Sequence, residues 1–147
     1  QGGLNQDIFN SLWDNKPAGI KPDGTVMGTV VDSQGLTQNL AFERPVVKPI
    51  YCAVNIYRDV AKFPSNGTDL VRSAIADFIN SLEIGESVIV YPQLISSLRS
   101  IPGVVDVEIG VGFLASPPIG QDDNILIEIN EIAKVVTPSI DVGVTLL

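Results

Sequence analysis

The sequence contains no histidine. That removes the side chain that titrates nearest neutrality, the commonest zinc ligand, and the base that usually activates a serine or cysteine nucleophile. Its one cysteine, Cys52, excludes an internal disulfide and every multi-cysteine metal site. Aromatic residues are only 6% of the chain, and no aromatic-rich platform for sugars is visible. Cations are also few: 9 Lys plus Arg stand against 17 Asp plus Glu, for a net charge of -8, and they are scattered along the chain. Such a protein repels a phosphate backbone, so nucleic acid is not an expected partner. No apolar run approaches the roughly 20 residues that span a bilayer, and no basic-then-apolar leader opens the chain. The expectation is a water-soluble protein with no membrane partner and no export signal. Gln1-Gly2-Gly3 reads as the remnant of a tag or of a cut in a longer protein.

What is present suffices for a core. Hydrophobic residues make up 45% of 147 and charged ones 18%. A chain of this size buries about 70% of its unfolded surface without help from metal or disulfide. Leu4, Ile8 and Leu12, with Phe9 and Trp13 beside them, predict a helix over 5–13, capped by Asn5 and stopped by Pro17. Two β-rich runs, 25–31 and 36–44, flank "DSQG" and predict a hairpin, with Pro45 ending the second or marking it as an edge. The run 48–58 alternates cleanly and reads as one central strand, with Ile50, Cys52, Val54 and Ile56 on one face.

The strongest helical stripe is Val71, Ala74, Ile75, Phe78, Ile79 and Leu82. It predicts a helix over 68–82, capped by Thr68 and closed by Gly85, with Ile75 and Phe78 as core anchors. Further on come a short strand over 87–91, a short helix from Pro92 to about Ser100, and a strand over 104–113. In that strand Val105, Val107, Ile109, Val111 and Phe113 are expected inward. A strand over 125–130, with Ile125, Ile127 and Ile129 on one face, is expected to pair antiparallel with it. "NEIAKVV" then continues as a bulged or broken strand, and 140–146 is the last. Strands that do not alternate strictly with helices indicate an α+β fold: an antiparallel or mixed sheet packed against one main helix and a short second one. The chain reads as a single domain over 1–147, divided weakly at Pro45 into a helix-hairpin arm, 1–45, and a main sheet-helix unit, 46–147.

Motifs that carry chemistry are weak. "GVGF" at 110–113 has two glycines of a dinucleotide fingerprint but lacks the third glycine and a following helix, so the glycines read as space on a strand face. "NGT" at 66–68 fits a glycosylation acceptor and fits a turn with a helix cap better. Asp122, Asp123, Asn124, Glu128 and Glu131 are oxygen donors for a cation, but they lack EF-hand spacing and read as a solvated acidic loop. A carboxylate pair for glycoside hydrolysis is not singled out by counting acids. Cys52 reads as packing. No catalytic, cofactor-binding or metal-ligating residue emerges, and no cofactor is expected.

The order of the pieces is more informative than any one of them. "IFNSLWDNKPAGIKPDG", "VVDSQGLTQNLAFERPVVKPIYCAVNIY", "IADFINSLEIGESVIVYPQLISSLRSIPGVVDV" and "NILIEINEIAKV" follow one another along nearly the whole chain. In that order they resemble the C-terminal part of baseplate J-like proteins, the wedge subunits of contractile-tailed phages and related phage-derived injection machines. The resemblance implies a structural role in the wedge around the central hub, contact with neighbouring copies and other wedge proteins, no reaction and no cofactor. It implies a location in the virion tail baseplate. Full-length members have a longer N-terminal region, so an excised domain or a short homologue is expected.

With the resemblance in view, the hairpin over 25–44 and the loop over 115–123 are the expected partner surfaces. Lys16, Lys21, Gln34, Gln38, Asp122 and Asp123 are the candidate contact residues, the two lysines as cations free to meet an acidic neighbour. A non-catalytic binding module on a phage tail, for carbohydrate or receptor, is the alternative. An enzyme is third, and requires Asp122, Asp123 and Glu128 to converge in a cleft.

Overall fold

The computed structural model describes residues 3–88, 90–115, 117–119 and 124–146, without the side chains of Tyr91 and Thr137. Helices and strands are mixed in an α+β arrangement, and the chain forms two compact units, Gln1–Arg44 and Pro45–Leu147.

The first unit, the arm, is one helix on one hairpin. Helix α1 (Asn5–Asn15) packs on strands β1 (Val26–Val31) and β2 (Thr37–Phe42), which pair antiparallel from Val26↔Phe42 to Val31↔Thr37. The small core is Phe9, Val30 and Leu40, with Trp13, Val26 and Phe42 around it. The side of α1 that packs is therefore Phe9 with Trp13, whereas Leu4, at the head of the expected stripe, is exposed. Gly28 makes this possible, because a Cβ there would collide with the Phe9 ring. Phe9 also meets Phe42 edge-on, with ring centroids 5.1 Å apart.

Asn5 does not cap the helix; its Oδ1 accepts a bond from Arg44 at 2.7 Å, and Leu4 takes the cap position without a side-chain bond. The hairpin turn is built as its sequence suggests. Gly35 has φ 78°, and Asp32 Oδ1 accepts the N–H groups of Gln34 and Leu36, each at 2.9 Å.

The second unit, the body, holds the main core. Strand β3 (Val46–Pro49) pairs parallel with β6 (Glu131–Lys134), while β4 (Tyr51–Arg58) lies between β5 (Val104–Gly112), antiparallel, and β7 (Ile140–Leu146), parallel. The run expected as one strand over 48–58 thus changes sheet at Ile50, next to Pro49, whose missing N–H cannot continue a ladder. Its alternation survives the break: Ile50, Cys52, Val54 and Ile56 are all buried on the core side.

Helix α2 (Gly67–Ser81) covers that side with Val71, Ile75 and Ile79, and Leu82 follows them into the core. Phe78 is half-buried at the margin. Thr68 lies inside α2 and Asn66 precedes it, and neither side chain makes a capping bond. The helix stops at the extended Leu82, before Gly85, which instead turns the chain so that its N–H reaches Glu131 O at 2.8 Å.

Two expected strands are absent as such. Val88 and Ile125 form a single antiparallel bridge; 87–91 is otherwise not a strand among its described residues, and 125–130 does not pair with β5. Ile125 and Ile127 are buried, but Ile129 is 89% exposed because no described strand faces it. A π-helical turn (Val90–Leu94) runs into α3 (Ile95–Arg99), and Leu94 of the turn with Ile95 and Leu98 of α3 are buried in the core. In β5 the middle residues Val107 and Ile109 are buried, whereas Val105, near its start, and Phe113, just past its end, both expected inward, are exposed. Among the described residues, no helix is long and apolar enough to cross a membrane.

Candidate functional site

Several charged side chains of the body are engaged with one another. Glu131 is bound by Lys48 at 2.7 Å, and the ammonium holds its carboxyl below the usual range. Glu131 also accepts the N–H of Glu128, while Asn124 Oδ1 accepts the N–H of Val90 at 3.0 Å. These contacts hold the 124–131 segment to the body and leave its acids no common centre. Among the described residues no three acids or cysteines are grouped to hold a metal ion. Asp122 and Asp123, the remaining members of that candidate cluster and two of the expected contact residues, lie outside the described residues.

The other motifs resolve into packing. Gly110 is buried beneath the Pro118 carbonyl, where a Cβ has no room, so the "GVGF" glycines admit the following loop onto the sheet. Cys52 is buried on the apolar face of β4, and burial pushes its thiol up to about 12. An un-ionised, inaccessible thiol is a poor nucleophile. Tyr57 donates to Glu108 at 3.0 Å across β4 and β5, and this bond holds the phenol above its usual range.

The arm is different, because its polar groups line open space. One groove, of about 290 Å³, is walled by Trp13 and Lys16 from the end of α1, by Ile20, Lys21 and Pro22 from the connector, and by residues 37–40 of β2. A second, of about 510 Å³, continues from Lys21, Pro22, Asn39 and Leu40 along Asp23, Met27 and Thr29. The expected contact residues Lys16, Lys21 and Gln38 therefore come together on one surface, with Lys21 in both grooves. Gln34 does not join them; it sits in the exposed hairpin turn, where its N–H is spent on Asp32.

The lysines are not equivalent. Lys21 is exposed, but Lys16 is half-buried with its ammonium 4.7 Å from the Trp13 ring centroid, a cation–π contact rather than a freely solvated charge. Gln38 Nε2 donates to Asp32 Oδ2 at 2.9 Å, which ties this wall to the turn. Asp32 is held below the usual carboxylate range, first by the Leu36 N–H and then by Gln38.

Sequence reasoning missed Trp13, Ile20 and Asn39 as groove walls. The only signal was the pair of prolines, Pro17 and Pro22, which set the connector's path. Compared with protein-family models and with curated protein sequences, the chain matches none.

Proposed function

We propose that this chain is a non-catalytic structural protein of a contractile phage or prophage-derived tail baseplate. It joins wedge subunits by protein–protein contacts, with neighbouring copies and other wedge proteins as partners, and it is assembled in the bacterial cytoplasm before residing in the virion tail. The observation that carries this reading is the order of the motifs from "IFNSLWDNKPAGIKPDG" to "EIAKV" and their likeness to baseplate J-like proteins. The arm supports it physically. Met27, Val31 and Leu36 are 80%, 67% and 57% exposed. So much large apolar surface on so small a unit is what a contact surface requires.

The test is particle composition. Contractile tails purified from producing cells should contain this chain in fixed stoichiometry with other baseplate proteins, as measured by quantitative mass spectrometry. Its absence from such particles would sink the proposal.

A further inference from the structure

Strand β2 is one of only two strands in its sheet among the described residues, and its outer side is furnished for a third. The N–H of Asp32 bonds Leu36 O at 2.9 Å, which makes those opposed residues a hydrogen-bonded pair and fixes the alternation along the hairpin. The pairs Val31↔Thr37, Thr29↔Asn39 and Met27↔Ala41 are then the non-bonded ones. The backbone N–H and C=O groups of Thr37, Asn39 and Ala41 consequently point away from β1. On the β1 side the equivalent carbonyl of Thr29 is taken by Gln6 Nε2 at 3.2 Å. Among the described residues of the arm, nothing bonds these outward backbone groups of Thr37, Asn39 and Ala41. A row of unpaired strand groups is a template for another strand.

Both grooves lie against these residues. Their charge is lopsided: Lys16 and Lys21 line them, with Asp23 the one carboxylate among the described lining residues. Neither lysine makes a salt bridge to a described residue of the arm, whereas Lys48, Lys62, Arg72 and Arg99 of the body are each ion-paired. Trp13, Ile20 and Met27 supply apolar surface for alternate side chains of an extended chain.

We infer that the outer edge of β2 is a docking site for an extended, acidic segment of a partner protein. The segment adds as a third strand to Thr37, Asn39 and Ala41, with its carboxylates on Lys16 and Lys21. The inference rests on reading the arm as a partner surface, and it does not depend on the kind of particle.

The experiment titrates the full chain with an extended peptide of about ten residues alternating Glu and Val. It reads the fluorescence of Trp13, the one tryptophan, and the amide exchange of Thr37, Asn39 and Ala41. The Glu peptide is expected to shift Trp13 emission and to protect those three amides. A Lys-for-Glu peptide, or the Glu peptide N-methylated at alternate residues, is expected to bind about tenfold or more weakly. Lys16→Glu with Lys21→Glu should reverse the charge preference.

Three results would overturn the inference: equal binding of the methylated and unmethylated peptides, equal binding of the Glu and Lys peptides, or no response at millimolar peptide. So would protection of the three amides that rises with chain concentration alone, since a second copy would then hold the edge. Particle composition is independent of this. A chain present in tails but blind to the peptide removes only strand addition, and one that binds the peptide but is absent from tails removes only the baseplate reading.

Discussion

Cys52 and Asp32 show how burial and hydrogen bonding set single groups in opposite directions. The Cys52 thiol is raised from 9.0 to about 12 by burial. A group raised on folding contributes stability that is whole below its unfolded value and is lost as pH climbs toward the folded one. Unfolding free energy should therefore fall between about pH 9 and 12, and the decline should be shallower in Cys52→Ala, measured by urea denaturation across that window. Equal slopes would mean that the thiol ionises without opening the core.

Asp32 is the reverse case, lowered by the Leu36 N–H and the Gln38 side chain. Its contribution is present above the ordinary carboxylate range and is lost as pH falls through the depressed value. The amide resonance of Leu36 should follow a titration with a midpoint below that of an unperturbed aspartate, and the titration should vanish in Asp32→Ala. Cys52 was readable in the sequence because strand alternation alone assigns it a face. The place of Lys16 over the Trp13 ring depends on side-chain packing at the end of α1, which no residue pattern displays.

Elements were legible wherever one periodicity ran unbroken. The stripe of α2 named Val71, Ile75, Ile79 and Leu82 correctly, and these are the residues buried against β4 and its neighbours. Ile75→Ala, which empties a fully buried site, should cost about 2–5 kcal/mol in urea denaturation. Phe78→Ala should cost clearly less, since Phe78 is half-buried. Equal losses would mean that the two residues share one burial. The arm has its own test in Gly28→Ala, whose new methyl collides with Phe9. Overpacking of this kind costs about 1–3 kcal/mol, and the disturbance should appear in Trp13 emission while body amides keep their protection.

The misread elements failed for a different reason. The run 125–130 alternates as a strand should, yet among the described residues only Ile125 finds a strand partner, Val88. Pairing is a property of two segments, so alternation in one of them does not decide it. The change of sheet at Ile50 was likewise hidden, because Ile50 keeps the same inward face on both sides of the break.

At the scale of the molecule, the charge of -8 and the absence of histidine are enough by themselves to narrow the chemistry, since both act through composition and neither depends on how the chain folds. The α+β class followed from the order of elements, and Pro45 opens the second compact unit. The grooves of the arm were not legible, since they arise where the connector's Lys21 and Pro22 stand apart from β2.

The central proposal is that the arm joins this chain to its neighbours in a tail baseplate. Its most direct test is photo-crosslinking in assembled tails. A crosslinking amino acid replaces exposed Met27 on the arm, or exposed Asp77 on α2 as the comparison, and the products are identified by mass spectrometry. Products joining position 27 to another baseplate chain, in greater yield than from position 77, are expected. Efficient incorporation into tails with no product from position 27 would contradict the proposal.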